Sequence, residues 1–199
     1  MKARIRIFFF ALFIILNFIG FTQTTPTICG TWRWDVKTLT DKGGTDLLSK
    51  TPIQTTINKL VIVKPPKVLK ESSPSDGKMP RYTREKQVVE ITAYVTEIKK
   101  EDDNDLHLVL KSLTSDKTMV GEIPDPNCPD FDRFLSLREY FKQTRDSGMK
   151  VWDSLKQKKS PIKVKITGVP FWDGVHANAP TGASLYFREI HPILKIEIQ

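Results

Sequence analysis

Two hydrophobic periods divide the second half of the chain. "QVVEITAYVTEI" sets Val89, Ile91, Ala93 and Val95 against Glu90, Thr92, Tyr94 and Thr96, and alternation in β-branched residues predicts a strand buried on one face. The acidic "KKEDDND" reverses the chain. "LHLVLKSL" puts Leu106, Leu108 and Leu110 on one face and His107, Val109 and Lys111 on the other, and "TMVGEIP", after "TSDK", completes a three-stranded meander. From "CPDFDRFLSLREYFKQTRDSGMKVWDSLKQKK" onward the spacing changes: Phe131, Phe134, Leu135, Phe141, Val151, Trp152 and Leu155 recur at helical intervals. Pro129 and Asp130 stand where a helix starts, and Gly148 is expected to interrupt it. Two strands follow: "PIKVKITGV", with Ile162, Val164 and Ile166 inward, and a last one from Ser184 in which Ile190, Leu194, Ile196 and Ile198 share a parity.

Three strands, a helix and two strands is the element order of an OB-fold, a five-stranded barrel with a helix between its third and fourth strands. The prediction is a mainly β chain with one helix region, residues 85–199 forming an OB-like barrel behind an N-terminal extension at 23–84. Gly121 and Gly168 fall inside strand patterns, where a barrel needs kinks or bulges. A β-sandwich and an open α+β sheet are the rival arrangements. In the extension, "TWRWDVKTLTDKGG" predicts a short strand over residues 31–38, with Trp32 and Trp34 on one face as an apolar cover. "PIQTTINKLVIVKPPKV" fits a short helix or a strand, and "PPKVLKESSPSDGKMPRY" reads as an exposed loop rich in Lys, Ser and Pro.

The opening segment changes the compartment. Lys2, Arg4 and Arg6 precede an apolar run from 7 to 21, the layout of a secretory signal peptide at residues 1–22, with Gly20 and Thr22 as the small residues before cleavage. The alternatives are an uncleaved anchor, for which the run is short, and a lipid anchor at Cys29, which lacks the small residue expected before it. Cleavage after Thr22 leaves 177 residues carrying 28 basic and 23 acidic side chains, a net charge of +5 instead of +8. That modest excess permits an anionic partner without requiring one. In a secreted or periplasmic chain the two cysteines, Cys29 and Cys128, are expected to form a disulfide, the alternative being two free thiols. No C-x-x-C occurs, so a zinc ribbon or thioredoxin-type redox role has no support.

The blocks "CGTWRWDVKTLTD", "TTINKL", "DLHLVL", "EIPDPNC", "GVPFWDGVHA" and "REIHPIL" together resemble a family of uncharacterised secreted bacterial proteins with phrases similar to E-R-W-x-V-K-T, D-Y-H-L-V-L, I-P-D-P-x-C, F-F-D-x-x-H-G and E-L-H-P-V-L. The chain departs from it at Trp32, where the family tends to show Glu, at Ala177, where it tends to show Gly, and in the Lys-Ser-Pro stretch before the first barrel strand. The resemblance implies export and a shared domain, and it carries no reaction with it.

Candidate chemistry centres on the histidines. His107, His176 and His191 are each accompanied by a carboxylate, Asp105, Asp173 and Glu189 respectively. In a strand, residues two apart project from one face, so Asp105 with His107 and Glu189 with His191 form mixed pairs suited to a transition metal or to proton transfer. The spacing is equally that of ordinary hydrogen-bonded positions, and a structural role for the His191-Pro192 corner competes with a site. Phe171, Trp172 and His176 in "PFWDGVHANAPTGAS" are candidate ligand contacts, able to stack a base or sugar or else to cap the barrel end. "EDDND" lacks the Gly and Glu of an EF-hand loop and reads as a solvated hairpin turn. Lys156, Lys158, Lys159, Lys163 and Lys165 could track an anionic polymer, but a helix C-terminus and an edge strand favour lysines on their own account. Serine nucleophile elbows, phosphate loops and dinucleotide fingerprints are absent. Two functions follow as expectations: a secreted OB-like binding or interaction module for nucleic acid, glycan or protein, or a metal-assisted, phosphodiesterase-like hydrolase using the His/carboxylate set. A divalent metal cofactor belongs to the second alone.

Overall fold

The structure, a computed structural model, describes residues 28–66, 79–174 and 179–199. The leader-like segment 1–22, most of the Lys/Ser/Pro loop and His176 lie outside the described residues. Among those described, no helix is long and apolar enough to cross a membrane.

The expected alternation produces the expected strands: β2 (Val89–Lys100), β3 (Leu106–Lys111), β4 (Thr118–Ile123), β5 (Ile162–Trp172) and β6 (Arg188–Ile198), preceded by a two-residue strand β1 (Ile53–Gln54). The ladder runs β2-β3-β4-β6-β5 and closes by pairing β5 back to β2, so the sheet is a five-stranded barrel of OB type. All barrel pairs are antiparallel except β4 with β6, which run parallel through Val120 opposite Glu189. Besides the short β1, the long β2 serves two barrel partners, pairing with β5 along Val89 to Val95 and with β3 from Tyr94 onward. A register shift between Val95 and Glu97 marks the handover, and the buried set moves from Val95 to Ile98 across it. An extra residue of this kind bends the strand and sharpens its twist, which is how a short sheet curls into a cylinder. Gly168 performs the same service between β5 and β6. A Cβ there would stand 2.3 Å from Ile190 Cγ2 and 2.7 Å from the Pro192 carbonyl oxygen, so only hydrogen lets these backbones approach.

Inward residues of every barrel strand form one core with Ile57, Leu60, Val61 and the helix face at Val151. That helix, numbered α3 below, runs Leu135–Lys158 after a 3₁₀ turn at Pro129–Arg133. It does not break at Gly148, contrary to expectation. The glycine faces the barrel, where a Cβ would meet Ile123 Cδ1 at 2.8 Å, so it permits close packing of an unbroken helix. The helix stops at Lys159, in the left-handed region at φ 50°, two residues before Pro161.

Three other expectations are corrected. The segment at 31–38 is not a strand: after Arg33, itself at φ 50°, it makes a single helical turn, α1 (Trp34–Lys37), so the two tryptophans do not share a strand face. Trp34 enters a second core with Leu39, Leu47, Cys128, Phe131, Phe141 and Leu194, and its indole N–H donates to Asp130 at 3.1 Å. "PIQTTINKL" is both alternatives in succession, β1 and then α2 (Ile57–Leu60). In β6, where the His191-Pro192 peptide is cis, the simple parity fails: register shifts against β5 turn Ile193 into the main core with Ile190 and Ile196, while Leu194 joins the second core and Ile198 is exposed.

The extension is bound into the body of the domain. Cys29 and Cys128 are disulfide-bonded, as the sequence suggested. Arg33 and Glu85 form a fully buried ion pair. The guanidinium also donates to the carbonyls of Met79, Pro80 and Trp172 and lies over the rings of Tyr82 and Phe171.

Candidate functional site

The face of the barrel turned away from the main core is not solvated where β3, β4 and β6 meet, because the chain around residues 28–37 and 179–182 covers it. His107, expected to point outward, is only 1% exposed, and Val109 beside it packs against Gly182. The hairpin register sets His107 directly opposite Glu122, and the parallel pairing of β4 with β6 brings Glu189 and His191 alongside. Two of the three carboxylate-histidine pairs read from the sequence therefore converge, and they do so on a residue not singled out there, Glu122.

The contacts form a chain. His107 Nε2 lies 3.0 Å from the Thr181 carbonyl oxygen. A carbonyl only accepts, so this nitrogen carries the hydrogen. His107 Nδ1 then faces two carboxylates, Glu122 Oε1 at 2.9 Å and Glu101 Oε1 at 3.1 Å. The other oxygen of Glu122 stands 2.9 Å from His191 Nδ1, with Glu189 Oε2 at 3.8 Å from the same nitrogen. His191 Nε2 is 3.6 Å from Asp105 Oδ2, while Asp105 Oδ1 accepts from the Asp125 backbone N–H at 2.9 Å. Neither ring nitrogen of His191 makes a hydrogen bond despite these distances, and Asp105 Oδ2 and Glu189 Oε2 are likewise buried without one among the described residues.

These carboxylates crowd a low-dielectric region, and their protonation reflects it. Burial, reinforced by Asp103 and Glu122, pushes the Asp105 carboxyl well above its ordinary range. Burial, Asp173 and Glu122 do the same to Glu189. Burial also acts upward on Glu122, but the two imidazoles and Lys37 outweigh it and hold this carboxyl well below the usual range. Burial pulls His107 down, yet Glu122 more than reverses it, so His107 is raised. Burial and the nearby Lys37 ammonium lower His191, keeping it a neutral imidazole near pH 7. Lys37 comes from α1 and bridges to Asp173 at 3.3 Å. Burial disfavours its charge, but Asp173, Glu122, Glu189 and Asp105 together raise it and keep it an ammonium.

A cavity of about 550 Å³ opens onto this cluster, with Glu101, His107, Glu122, Glu189, Lys37 and Trp32 in its wall. Two sets of ligand atoms lie within 4.8 Å of one another, Glu101/His107/Glu122 and Asp105/Glu122/His191. Imidazole with carboxylate suits zinc, manganese and similar divalent ions.

The remaining predicted residues fall elsewhere. Asp173 lies in the cavity wall and pairs with Lys37 but belongs to neither ligand set. Phe171 and Trp172 are buried, against the expectation of flat ligand contacts: the Arg33 guanidinium and the edge of Trp32 occupy Phe171, and Arg188 lies 3.7 Å over the ring of Trp172. No π-face remains for a base or sugar, and the capping alternative describes them. In the acidic turn, Asp102 and Asp103 line the cavity mouth but join neither cluster, and Asp105 is fully buried, not solvated.

Glu101, Glu122 and Lys37 were not found from the sequence. Glu122 was accessible in principle, because pairing Leu110 with Met119 across the hairpin forces His107 opposite Glu122. Lys37 had no such signal, since only tertiary packing carries α1 to the cavity. No family model, curated protein or solved structure matches the chain.

Proposed function

We propose that the protein is an exported, metal-dependent hydrolase whose divalent ion is held by Glu101, His107 and Glu122 at the wall of the cavity. One observation carries this reading: the two carboxylate oxygens converge on His107 Nδ1 while Nε2 is committed to the Thr181 carbonyl. A ligating histidine ordinarily donates its second N–H to a carbonyl or carboxylate, which fixes the tautomer and turns the other lone pair to the ion. Without an ion, the same nitrogen must take a proton to sit between two anions. Three protein ligands facing an open cavity leave coordination positions for water and substrate, as in catalytic zinc sites and unlike the closed four-ligand structural ones. A metal so placed supplies a water whose pKa falls toward about 7 and polarises a substrate oxygen. Lys37, held cationic on the same wall, is the group placed to offset negative charge developing on the substrate. Hydrolysis of a phosphodiester there would join a water oxygen to phosphorus and break the bond to the leaving oxygen, with one water proton passing to the leaving oxygen or the medium and the other remaining on the new phosphate oxygen until it ionises to the medium.

Export rests on the leader-like segment 1–22 and accords with the Cys29–Cys128 disulfide. The reading as a binding module rests on the barrel alone, which is fold-level analogy, and the two rings offered to a base or sugar, Phe171 and Trp172, are covered. The test is to load the purified chain with Zn²⁺ or Mn²⁺, remove excess ion, and assay bis(4-nitrophenyl) phosphate beside a carboxylic ester. Retained metal and metal-dependent nitrophenolate release, both lost in His107→Ala, are expected. Failure to retain either ion would overturn the site, and retained metal without turnover of either ester would overturn the hydrolase.

A further inference from the structure

We infer that the site holds two divalent ions, with Glu122 as the carboxylate they share. This rests on the metal reading above and extends it to His191, Glu189 and Asp105.

The argument is the repetition of one arrangement. Each histidine turns Nδ1 to two carboxylates: His107 to Glu101 and to Oε1 of Glu122, His191 to Glu189 and to Oε2 of Glu122. Behind each ring an acceptor faces Nε2, the Thr181 carbonyl for His107 and Asp105 Oδ2 for His191. The two oxygens of Glu122 are thus divided between two half-sites. The second half-site is the less satisfied. His191 is fully buried and neither of its nitrogens is hydrogen-bonded, and Glu189 Oε2 and Asp105 Oδ2 also have no hydrogen bond among the described residues. Buried polar atoms are ordinarily paired, and these four, gathered around one imidazole beside Glu122, call for a missing partner. Ligand atoms around an ion at bond lengths of about 2.0–2.2 Å stand roughly 3 Å apart, which is the spacing of His191 Nδ1 and Glu122 Oε2, 2.9 Å. Asp105 takes the orienting role behind His191, its other oxygen already fixed by the Asp125 N–H.

Paired ions about 3.5–4 Å apart clamp the attacking and leaving oxygens of a displacement at phosphorus. They also answer an objection to a phosphate substrate. Glu101, Asp102, Asp103, Glu122, Asp173 and Glu189 line the cavity, a wall that repels phosphate as it stands. Two divalent ions would reverse its sign.

The experiment uses the full mature chain, stripped of metal and titrated with Mn²⁺, with ion content measured after gel filtration and the spin state by electron paramagnetic resonance. The expectation is two ions per chain with the spectrum of an exchange-coupled pair. His191→Gln and the near-isosteric Glu189→Gln should each lower the content to one ion with an uncoupled spectrum. Circular dichroism identifies a variant that has lost its fold, in which case the other decides. A wild-type chain that binds a single uncoupled ion, unaffected by Glu189→Gln, would overturn the second ion and leave the first in place. Two uncoupled ions, or a content unchanged in both folded variants, would overturn the sharing of Glu122. No bound ion would remove both proposals together.

Discussion

Replacing Glu85 by Gln probes how the N-terminal extension is held over the site. Arg33 and Glu85 are both 0% exposed and joined by two hydrogen bonds, Nη1 to Oε1 at 2.9 Å and Nη2 to Oε2 at 2.5 Å. The carboxylate is further committed, Oε1 accepting the Trp172 N–H at 3.0 Å and Oε2 the Tyr82 N–H at 2.8 Å. Glutamine keeps the shape but owns one oxygen. If that oxygen serves Trp172, the new NH₂ confronts both the Tyr82 N–H and the guanidinium, and Arg33 is left as a buried charge without a counter-ion. Removing one partner of a buried pair costs about 3–5 kcal/mol. A domain of this size shifts in Tm by roughly 2–4 °C per kcal/mol, so a fall on the order of 10 °C should appear in a thermal melt, with a matching drop in urea midpoint. Because Arg33 immediately precedes α1, which carries Lys37, the variant should also lower turnover more than metal retention at temperatures where it remains folded. Glu85→Gln within about 1 kcal/mol of wild type, the ceiling for an exposed pair, would refute the reasoning and mean that the pair is solvated in the working protein.

Gly168→Ala forces a methyl group to within 2.3 Å of Ile190 Cγ2 and against the Pro192 carbonyl, and overpacking of this kind costs about 1–3 kcal/mol. It should lower the urea midpoint without a change in slope, whereas a neutral result would show that the β5/β6 seam has slack. Cys128→Ser opens a loop whose ends are 99 residues apart, and losing such a crosslink should remove about 2–5 kcal/mol of stability. Mild reductant should reproduce that loss in wild type and leave the variant unaffected.

Much of the barrel could be read from the chain because its strands alternate cleanly: Val89, Ile91, Ala93 and Val95 in β2 and Ile162, Val164 and Ile166 in β5 are buried as their parity demands. The helix was legible in its period, but not in the role of Gly148, whose meaning lies in Ile123 across the interface. Parity failed in β6 because register shifts against β5 reset which residues face inward, and a shift of register is not encoded in a hydrophobic pattern. At the site, same-face logic set Glu189 beside His191, whereas Asp105 stands against His191 and not against His107. It could not reveal that the face is covered, since the cover comes from residues 28–37 and 179–182, far away in sequence. The stretch 31–38, which holds the turn at Trp34–Lys37, is written in Trp, Val and Thr, residues that favour strands, and tertiary packing around Arg33 overrides that preference.

The most direct measurement of the central claim is a crystal structure of the chain from residue 23 onward, grown with Mn²⁺ or Zn²⁺, with anomalous scattering used to locate the ion. The account predicts an anomalous peak about 2.0–2.2 Å from His107 Nδ1 and within bonding distance of Glu101 and Glu122. Density showing a proton-mediated contact between His107 and Glu122, with the ion absent or bound only at the surface, would contradict it.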